Sequence, residues 1–408
     1  MDLLSVMRGA PGAEPALEAL RGEPDVHVVG GAVRDALLGL VPRELDFVVE
    51  GDAAAVARRA AERLGGRVVV HERFGTATVH AAAAVFDVVS ARSETYARPG
   101  ALPDVRAGAS LHEDLARRDF TVNAIALHLV DGALAEWPGA RADLGAGRLR
   151  VLHERSFADD PTRLLRLARY AARLGFATER ETEAQAAAAV AGGAIGTVSG
   201  GRLGSELRLL LREPQPAALL ALERHGLGAA AVHPGFAASP DLIAAVLALC
   251  PADARADLAA LAACLVGALA PPPLGEALDR LEFEAAARGI VAKAADGAHF
   301  LCDALEDEEL RVDDDVALWR MLRRKTPEAV AVAGGLGRSA RAEAAARRWL
   351  CTVRHRRLAI TGDDFVAAGL SGPPVGDALE AAQLALLAGE APGGAEQLAA
   401  GLAAVRPS

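Results

Sequence analysis

The chain has 408 residues and a formal net charge of −10; 52% of its residues are hydrophobic and only 4% are aromatic. A chain of this length can bury a large core and is expected to form more than one domain. The negative net charge excludes a global field that would attract nucleic acid, so any RNA contact must come from a local basic surface. The alanine-rich, aromatic-poor composition indicates a mostly helical protein.

Cysteine spacing and hydropathy exclude further classes of protein. The four cysteines lie far apart, without a CxxC pair or paired histidines, which argues against a zinc site and a disulfide framework. The longest apolar stretch, residues 258–270, is too short to span a bilayer, and the N-terminus lacks the pattern of a signal peptide. We therefore expect a cytoplasmic protein without membrane contact.

The first chemically informative segment follows a predicted short helix and polar connection over residues 1–25. Residues 26–29 are largely β-branched and predict a buried strand. Gly30 and Gly31 then allow a tight turn, and residues 32–38 have a helical pattern. Because a helix N-terminus offers unpaired N–H groups and a favourable dipole, this turn is a candidate phosphate site.

Carboxylates follow the turn. A second predicted strand, residues 45–49, places Glu44 and Asp46 on one face, where two carboxylates favour a cation. Asp87 lies inside a later predicted strand, residues 85–90, and a carboxylate there is costly unless it is paired or binds a metal. The alternative for all three is a solvated strand edge or face.

The next segment combines a predicted loop with an arginine motif. Residues 93–110 contain enough glycine and proline to predict a loop. The sequence RRDFTVNA begins at Arg117, and the adjacent guanidinium groups of Arg117 and Arg118 suit the oxygens of a triphosphate. Asp119 and Asn123 could hold a ribose hydroxyl.

Two motifs carry a family resemblance. The pattern GGAVRD…ELD and the sequence RRDFTxNA resemble the head motifs of the class II tRNA nucleotidyltransferase and bacterial poly(A) polymerase family, a branch of the polymerase-β-like nucleotidyltransferases. The family usually has D-x-D where this chain has Glu44 first. The resemblance implies a metal site formed by Glu44, Asp46 and Asp87, which are also the predicted catalytic residues. It also implies that residues 93–110 correspond to a flexible loop of the family.

A third motif opens a predicted helix that continues to Leu174. The sequence DDPTRLLR, which begins at Asp159, has an acidic cap and a proline in the first turn. It resembles the E-D-x-x-R motif with which the family recognises the incoming base, and Asp160 and Arg163 are the matching residues. A carboxylate beside a guanidinium complements the pairing edges of cytosine and adenine but not those of guanine and uracil. The predicted nucleotide-binding residues are Gly30, Gly31, Arg34, Arg117, Arg118, Asp119, Asn123, Asp160, Arg163 and Arg166.

The C-terminal part contains the local basic surface. Arginines are concentrated between residues 338 and 357, where charge runs are either solvated faces or contacts to a phosphate-rich partner. The predicted RNA-binding residues are Arg347, Arg348, Arg354 and Arg356.

The predicted fold is α+β: a polymerase-β-like head with a small mixed sheet (1–148), then a helical neck that recognises the base (149–214), a helical body (215–335) and a helical tail (336–408).

Together with these features, the resemblance implies an enzyme that adds C and A from CTP and ATP to the 3′ end of tRNA without a template and releases pyrophosphate. The resemblance implies two Mg²⁺ ions. The alternatives are a relative that adds only CC or only A, a poly(A) polymerase, and an inactive RNA-binding protein on the same fold.

Overall fold

The computed structural model describes residues 2–71 and 75–405. The chain divides into two compact units, Met1–Leu210 with His225–Ala231 and Leu211–Arg224 with Val232–Ser408. The first unit contains the strands and the second is helical. The boundaries at residues 148, 214 and 335 stay predictions.

The first unit is built on a mixed sheet with the strand order β3-β4-β5-β2-β1-β8-β9. β1 pairs antiparallel with β2 and β8, whereas β2 pairs parallel with β5. This mixed sheet, followed by helices, confirms the predicted α+β class. In chain order the strands are β1 (Val26–Val29), β2 (Asp46–Val49), β3 (Arg67–His71), β4 (Thr76–His80), β5 (Val85–Ser90), β6 (Arg92–Thr95), β7 (Asp104–Ala107), β8 (Ile125–His128), β9 (Leu134–Glu136), β10 (Arg148–Leu149) and β11 (Ala177–Thr178).

Helices cover the sheet and continue the chain. All four residues of β1 are buried, as expected for a central strand with neighbours on both sides. The helices up to residue 231 are α1 (Leu3–Met7), α2 (Ala13–Leu20), α3 (Gly31–Leu37), α4 (Ala53–Leu64), α5 (Leu111–Ala116), α6 (Ala140–Gly145), α7 (Ser156–Asp159), α8 (Thr162–Leu174), α9 (Arg180–Ala191), α10 (Gly200–Leu210), α11 (Ala217–Glu223) and α12 (Leu227–Ala231).

The second unit contains α11 and the remaining helices. Alanine and leucine fill its interior, as in the contacts of α13 and α20 with α19. These helices are α13 (Pro240–Leu249), α14 (Ala256–Ala263), α15 (Leu274–Arg280), α16 (Ala285–Asp296), α17 (Ala298–Glu306), α18 (Asp315–Leu322), α19 (Pro327–Gly335), α20 (Ala340–Cys351), α21 (Gly362–Ala367), α22 (Pro373–Ala388) and α23 (Gly394–Val405). Within the described residues, none of these helices has the length and apolarity needed to cross a membrane.

The prediction of a loop over residues 93–110 was wrong for residues 93–95 and 104–107, which form strands, whereas residues 96–103 are neither helix nor strand. β6 and β7 form an antiparallel hairpin in which Arg92 faces Ala107 and Thr95 faces Asp104. Both strands are short and mostly polar, so they lack the apolar alternation that predicts a strand. Backbone pairing and the packing of β6 against α5 stabilise them instead.

Candidate active site

The glycine turn after β1 brings the backbone close to Arg118. Gly30 has a φ of 72°, and a Cβ atom at this position would lie 2.6 Å from Nη1 of Arg118. Glycine is required here both for its backbone conformation and for this approach. The turn at the start of α3 therefore lies directly beside a guanidinium group.

One buried carboxylate holds both arginines of the RRDFTVNA motif. Oδ1 of Asp114 accepts hydrogen bonds from Nε and Nη2 of Arg117 at 3.0 and 2.7 Å, and Oδ2 accepts one from Nη2 of Arg118 at 3.0 Å. Burial alone would raise the pKa of Asp114, but the two guanidinium groups outweigh it and lower that pKa. The Asp114 side chain is fully buried, so it fixes the arginines in place.

Asp119 is the centre of a second buried network. Its Oδ1 accepts from the backbone N–H of Phe120 and from Nδ2 of Asn123, at 2.8 and 2.9 Å. Its Oδ2 accepts from Nε and Nη2 of Arg166 at 2.8 and 2.6 Å. Desolvation opposes ionisation, but Arg166 and Asn123 keep the pKa of Asp119 well below its usual range. Both Asp119 oxygens are thus engaged by the protein itself.

Arg34 lies behind this network rather than in an open cleft. The residue is only 1% exposed, its Nη1 donates to Oδ1 of Asn123 at 2.6 Å, and its Nε and Nη2 donate to Asp35. Its guanidinium group also lies 5.4 Å from the centre of the Tyr170 ring. The structure therefore places the predicted nucleotide-binding Arg34 as a support for Asn123.

Asp160 and Arg163, the pair predicted to recognise the base, lie at the start of α8. Arg163 donates to Ser156 Oγ and to the backbone oxygen of Arg117, both at 2.7 Å. Oδ1 of Asp160 accepts from Thr162 Oγ1 at 2.7 Å and from Nη2 of Arg202 at 2.8 Å. Arg163 is thereby fixed directly to the backbone of the arginine motif.

Arg202 also binds the connection between β6 and β7. Its Nη1 donates to the backbone oxygen of Gly100 at 2.9 Å, and the N–H of Gly100 donates to the oxygen of Ala158 at 3.3 Å. One guanidinium group therefore contacts both the connection and the carboxylate of Asp160. Arg202 belongs to α10.

Of the three predicted metal-binding carboxylates, Asp46 begins β2, Glu44 lies just before it and Asp87 lies on the neighbouring strand β5. Phe47 of β2 faces Val88 of β5, so the preceding residues, Asp46 and Asp87, project on the same face of adjacent strands. β2 begins at Asp46, so Glu44 precedes the strand instead of sharing its alternation. Oδ1 of Asp87 accepts a hydrogen bond from Thr78 Oγ1 at 2.6 Å.

The carboxylates repel one another. The pKa of the Asp46 carboxyl group is raised. The largest cause is desolvation by the surrounding protein atoms, and repulsion by the charges of Glu44 and Asp87 adds to it. Arg118 partly offsets this effect. Within residues 2–71 and 75–405, however, no group of three or more His, Cys, Asp or Glu side chains is arranged to hold a metal ion.

A cleft with a volume of about 250 Å³ brings most of the predicted nucleotide-binding residues together. The predicted residues that line it are Gly31, Asp46, Arg117, Arg118, Asp119, Asn123, Asp160, Arg163 and Arg166. Gly30, Arg34, Glu44 and Asp87 are not part of this lining.

Sequence reasoning missed three residues of the lining, Glu94, Tyr96 and Tyr170. Glu94 accepts from Nη1 of Arg117 at 3.0 Å and from the Tyr96 hydroxyl at 3.1 Å. Burial and the charge of Glu94 raise the pKa of Tyr96 to about 12. The tyrosines gave a usable signal, since the whole chain contains only these two.

The predicted RNA-binding arginines belong to the second unit, and each has a partner there. Arg347 pairs with Glu343 at 2.7 Å, Arg348 with Asp315 at 2.6 Å, and Arg354 pairs with Asp253. Arg356 donates to the backbone oxygen of Leu386 at 3.4 Å. Their role in RNA binding stays a prediction.

Comparison with known proteins places this site in a family. Residues 26–150, which contain the glycine turn, the carboxylates and the RRDFTVNA motif, match the model of the poly A polymerase head domain. Residues 26–150 are therefore similar to this head domain. The resemblance to class II tRNA nucleotidyltransferases and bacterial poly(A) polymerases is thereby confirmed.

Curated relatives add detail but cover part of the chain. An A-adding tRNA nucleotidyltransferase from Halalkalibacterium halodurans is 46% identical over 198 residues, which is 47% of this chain and 46% of that protein. A CC-adding tRNA nucleotidyltransferase from Deinococcus radiodurans is 43% identical over 222 residues, or 53% of this chain and 58% of that protein. The match thus spans about half the length of these two curated relatives.

Solved structures are similar over most of the chain. A CCA-adding enzyme in its apo form II is 28% identical with a TM-score of 0.77, and the match covers 93% of this chain and 91% of that one. The Thermotoga maritima CCA-adding enzyme complexed with tRNA is 26% identical with a TM-score of 0.75, over 93% and 91% of the two chains. The similarity therefore extends into the helical second unit.

Proposed function

We propose that the protein is a template-independent tRNA nucleotidyltransferase that adds C and A from CTP and ATP to the 3′ end of tRNA and releases pyrophosphate. The observation that carries this proposal is the cleft in which the arginines of the head and the Asp160–Arg163 pair line one space. Triphosphate ligands and a base-reading pair are what such a reaction needs from the protein. The similarity to solved CCA-adding enzymes, including complexes with CTP and with ATP, supports the same conclusion.

In this proposal the head binds the triphosphate. Arg117 and Arg118 present guanidinium donors that Asp114 has already oriented, so little side-chain entropy is lost when phosphate oxygens bind. Asp119 acts by holding Asn123 and Arg166, because its own oxygens are occupied. Asn123 is then the better candidate for the ribose hydroxyl.

Base selection falls to Asp160 and Arg163. A guanidinium group has five N–H donors, and the two bonds of Arg163 to Ser156 and Arg117 leave others for a base acceptor. The three hydrogen bonds that Asp160 accepts from Thr162 and Arg202 all end on Oδ1. Oδ2 is the atom that we assign to the amino group of cytosine or adenine.

The carboxylates fit a divalent cation by their chemistry. Glu44, Asp46 and Asp87 supply the oxygen ligands that Mg²⁺ prefers, and a cation would relieve the repulsion that raises the pKa of Asp46. We propose that these residues hold two Mg²⁺ ions. When bound, such ions would activate the RNA 3′ hydroxyl and neutralise the departing pyrophosphate.

The free cysteines among the described residues agree with a reducing cytoplasm, where we place the reaction.

Partial specificity is the second candidate, because the curated relatives include A-adding and CC-adding enzymes. The test is incubation with labelled CTP and ATP and with two tRNAs, one lacking CCA and one ending in CC. Full CCA addition extends the first tRNA by three residues and the second by one. Extension of only one tRNA, or a long A tract, would replace the proposal by a CC-adding, A-adding or poly(A)-forming enzyme. Absence of transfer would favour an RNA-binding protein.

A further inference from the structure

One carboxylate that lines the cleft of the first unit has no role in the proposed function. The side chain of Glu94, in β6, is 8% exposed, and its Oε1 lies 3.0 Å from Nη1 of Arg117 and 3.3 Å from Nη2 of Arg92. Its other oxygen, Oε2, accepts a hydrogen bond from the hydroxyl group of Tyr96 at 3.1 Å. Glu94 is thus held by two guanidinium groups and in turn fixes the orientation of a phenol.

The direction of this hydrogen bond determines what the Tyr96 hydroxyl group can offer a ligand. A carboxylate only accepts hydrogen bonds, so the single proton of the phenol is donated to Glu94. Burial and the charge of Glu94 raise the pKa of Tyr96 to about 12, so the phenol keeps its proton at neutral pH. The Tyr96 oxygen therefore presents lone pairs to the cleft and acts as an acceptor, not as a donor.

Tyr96 lies beside the pair that we assign to base selection. Tyr96, Asp160 and Arg163 all line the cleft, and the charges of Arg163 and Asp160 both act on the Tyr96 hydroxyl group. Hydrogen bonds join the two sides of this space, because Arg163 donates to the backbone oxygen of Arg117, whose side chain donates to Glu94. The phenol and the base-reading pair therefore border the same space.

The exocyclic amino group of cytosine or adenine has two N–H donors. In the proposed function Oδ2 of Asp160 accepts the N–H on the pairing edge, which leaves the second N–H without a partner from the pair. A donor that loses water and finds no acceptor reduces affinity. Uracil and guanine have a carbonyl oxygen at the same position, and its lone pairs repel any further acceptor placed there.

We infer that Tyr96 is a specificity-determining residue whose hydroxyl oxygen accepts the second N–H of this amino group, and that Glu94 is a positioning residue that holds the phenol as an acceptor. The inference rests on the proposed function and deepens it, because the amino group is then read from two sides. A carbonyl oxygen in its place meets two acceptors and no donor, so UTP and GTP are rejected by both.

The test compares CTP with the triphosphate of pyrimidin-2-one riboside, which differs from CTP only by the absence of the amino group. Isothermal titration calorimetry of the full-length protein with Mg²⁺ and without RNA measures both Kd values. Tyr96→Phe should raise the Kd for CTP about three- to tenfold and change that for the analogue by less than about twofold, because the lost hydrogen bond exists only with an amino group. Equal weakening of both nucleotides would assign Tyr96 a structural role and overturn the inference.

A second variant tests the positioning by Glu94. In Glu94→Ala the Tyr96 hydroxyl group loses its acceptor and becomes free to donate to a carbonyl oxygen. The ratio of the Kd for UTP to the Kd for CTP should therefore fall about three- to tenfold. The ratio cancels the loss of the Glu94 contact to Arg117, since that loss affects the triphosphate of either nucleotide alike. An unchanged ratio would overturn the inference.

Tyr170→Phe is the matched control. Tyr170 is the other tyrosine of the chain and also lines the cleft, where its ring packs against Phe120 and Arg169. This variant should keep the ratio of the two Kd values for CTP and the analogue, and a change equal to that in Tyr96→Phe would contradict the assignment to Tyr96. Circular dichroism checks folding, and either test variant decides if the other does not fold. Failure of the unsubstituted protein to bind CTP and ATP would refute the proposed function itself, whereas the other adverse outcomes leave it intact.

Discussion

Asp114 shows how much of the candidate site depends on a residue that does not face the substrate. We expect Asp114→Asn to raise the KM for nucleotide and to destabilise the protein by about 3–5 kcal/mol, because both arginines lose a buried counter-charge. Steady-state kinetics and urea unfolding measure the two effects. Asp104→Asn, on the exposed face of β7, is the matched control and should change neither. Equal stability of the two variants would contradict the role of Asp114.

Asp46 should behave in the opposite way. Asp46→Asn is expected to reduce nucleotide transfer at least about a hundredfold, because it removes a charged ligand of the proposed metal site. The urea midpoint without metal should stay equal or rise slightly, since the substitution relieves repulsion from Glu44 and Asp87. Glu44→Asp is the companion variant and should retain activity if Glu44 binds metal. Near-normal transfer by Asp46→Asn would refute the assignment of these carboxylates.

At the scale of single residues, sequence patterns predicted the residues that line the cleft better than the residues that hold those side chains in place. Arg117, Arg118 and Asp160 line the cleft because their motifs specify reactive groups at fixed spacing. The burial of Arg34 against Asn123 was not predictable, since the two residues are 89 positions apart and meet only when α3 packs beside the start of β8. Sequence reasoning missed Asp114 because an acidic residue in the first turn of a helix such as α5 is already explained by its favourable interaction with the helix dipole.

Among the elements, the hairpin β6–β7 differs most from expectation. Helix α8 runs to Leu174 as the sequence predicted, because apolar residues at helical spacing and a proline at the start mark it clearly. The hairpin has no comparable signal, and its strands exist through pairing with each other. The connection from residue 96 to residue 103 is fixed further by Arg202 and by Ala158.

Two glycines allow this connection to be tested. Gly100 has a φ of 71°, and a Cβ there would overlap Oγ1 of Thr197. Gly108 has a φ of 78°, and a Cβ there would have no atom within 4 Å. Alanine at either position costs roughly 1–2 kcal/mol of backbone strain, but only Gly100→Ala also displaces the connection from Thr197 and Arg202.

The pair of variants predicts a change in nucleotide selection. In the proposed function Asp160 and Arg163 read both bases, so a switch from C to A requires movement near them. Arg202 joins the connection to Asp160. We expect Gly100→Ala to reduce A addition more than C addition, whereas Gly108→Ala should leave their ratio unchanged. Single-turnover incorporation of each nucleotide measures this ratio. The same ratio in both variants would show that the connection is only structural.

For the whole molecule, the composition predicted the helical content. The acidic net charge predicted that any basic surface would be local rather than global. What composition did not predict is the distribution of buried charge between the two units. Asp114 and Asp119 are buried, their pKa values are lowered by arginines, and both belong to the first unit. In the second unit the described acids with a lowered pKa are Asp253, Glu306 and Asp313, which remain in contact with solvent.

This difference predicts that acid destabilises the first unit more than the second. A carboxyl group whose pKa is lower in the folded than in the unfolded state stabilises the folded protein at pH values above the unfolded-state pKa, which is about 3.9 for Asp. This contribution is lost as the pH falls toward the pKa of the folded state. The urea midpoint of the first unit should therefore change little between pH 7 and pH 5 and fall below about pH 4. Hydrogen exchange followed by mass spectrometry of peptides from each unit measures the two midpoints separately.

Asp119→Asn provides the control for this acid effect. Its free energy of unfolding should lie below that of the unsubstituted protein at pH 7, because Arg166 loses its counter-charge. The difference should shrink as the pH falls below about 4, since Asp119 of the unsubstituted protein then binds a proton in the unfolded state but not in the folded state, which lowers the free energy of unfolding. Only the first unit should show this convergence, because Asp119 and Arg166 both lie within it. A difference that stays constant down to pH 2, or parallel unfolding of both units, would mean that acid acts through the overall charge instead of through this buried pair.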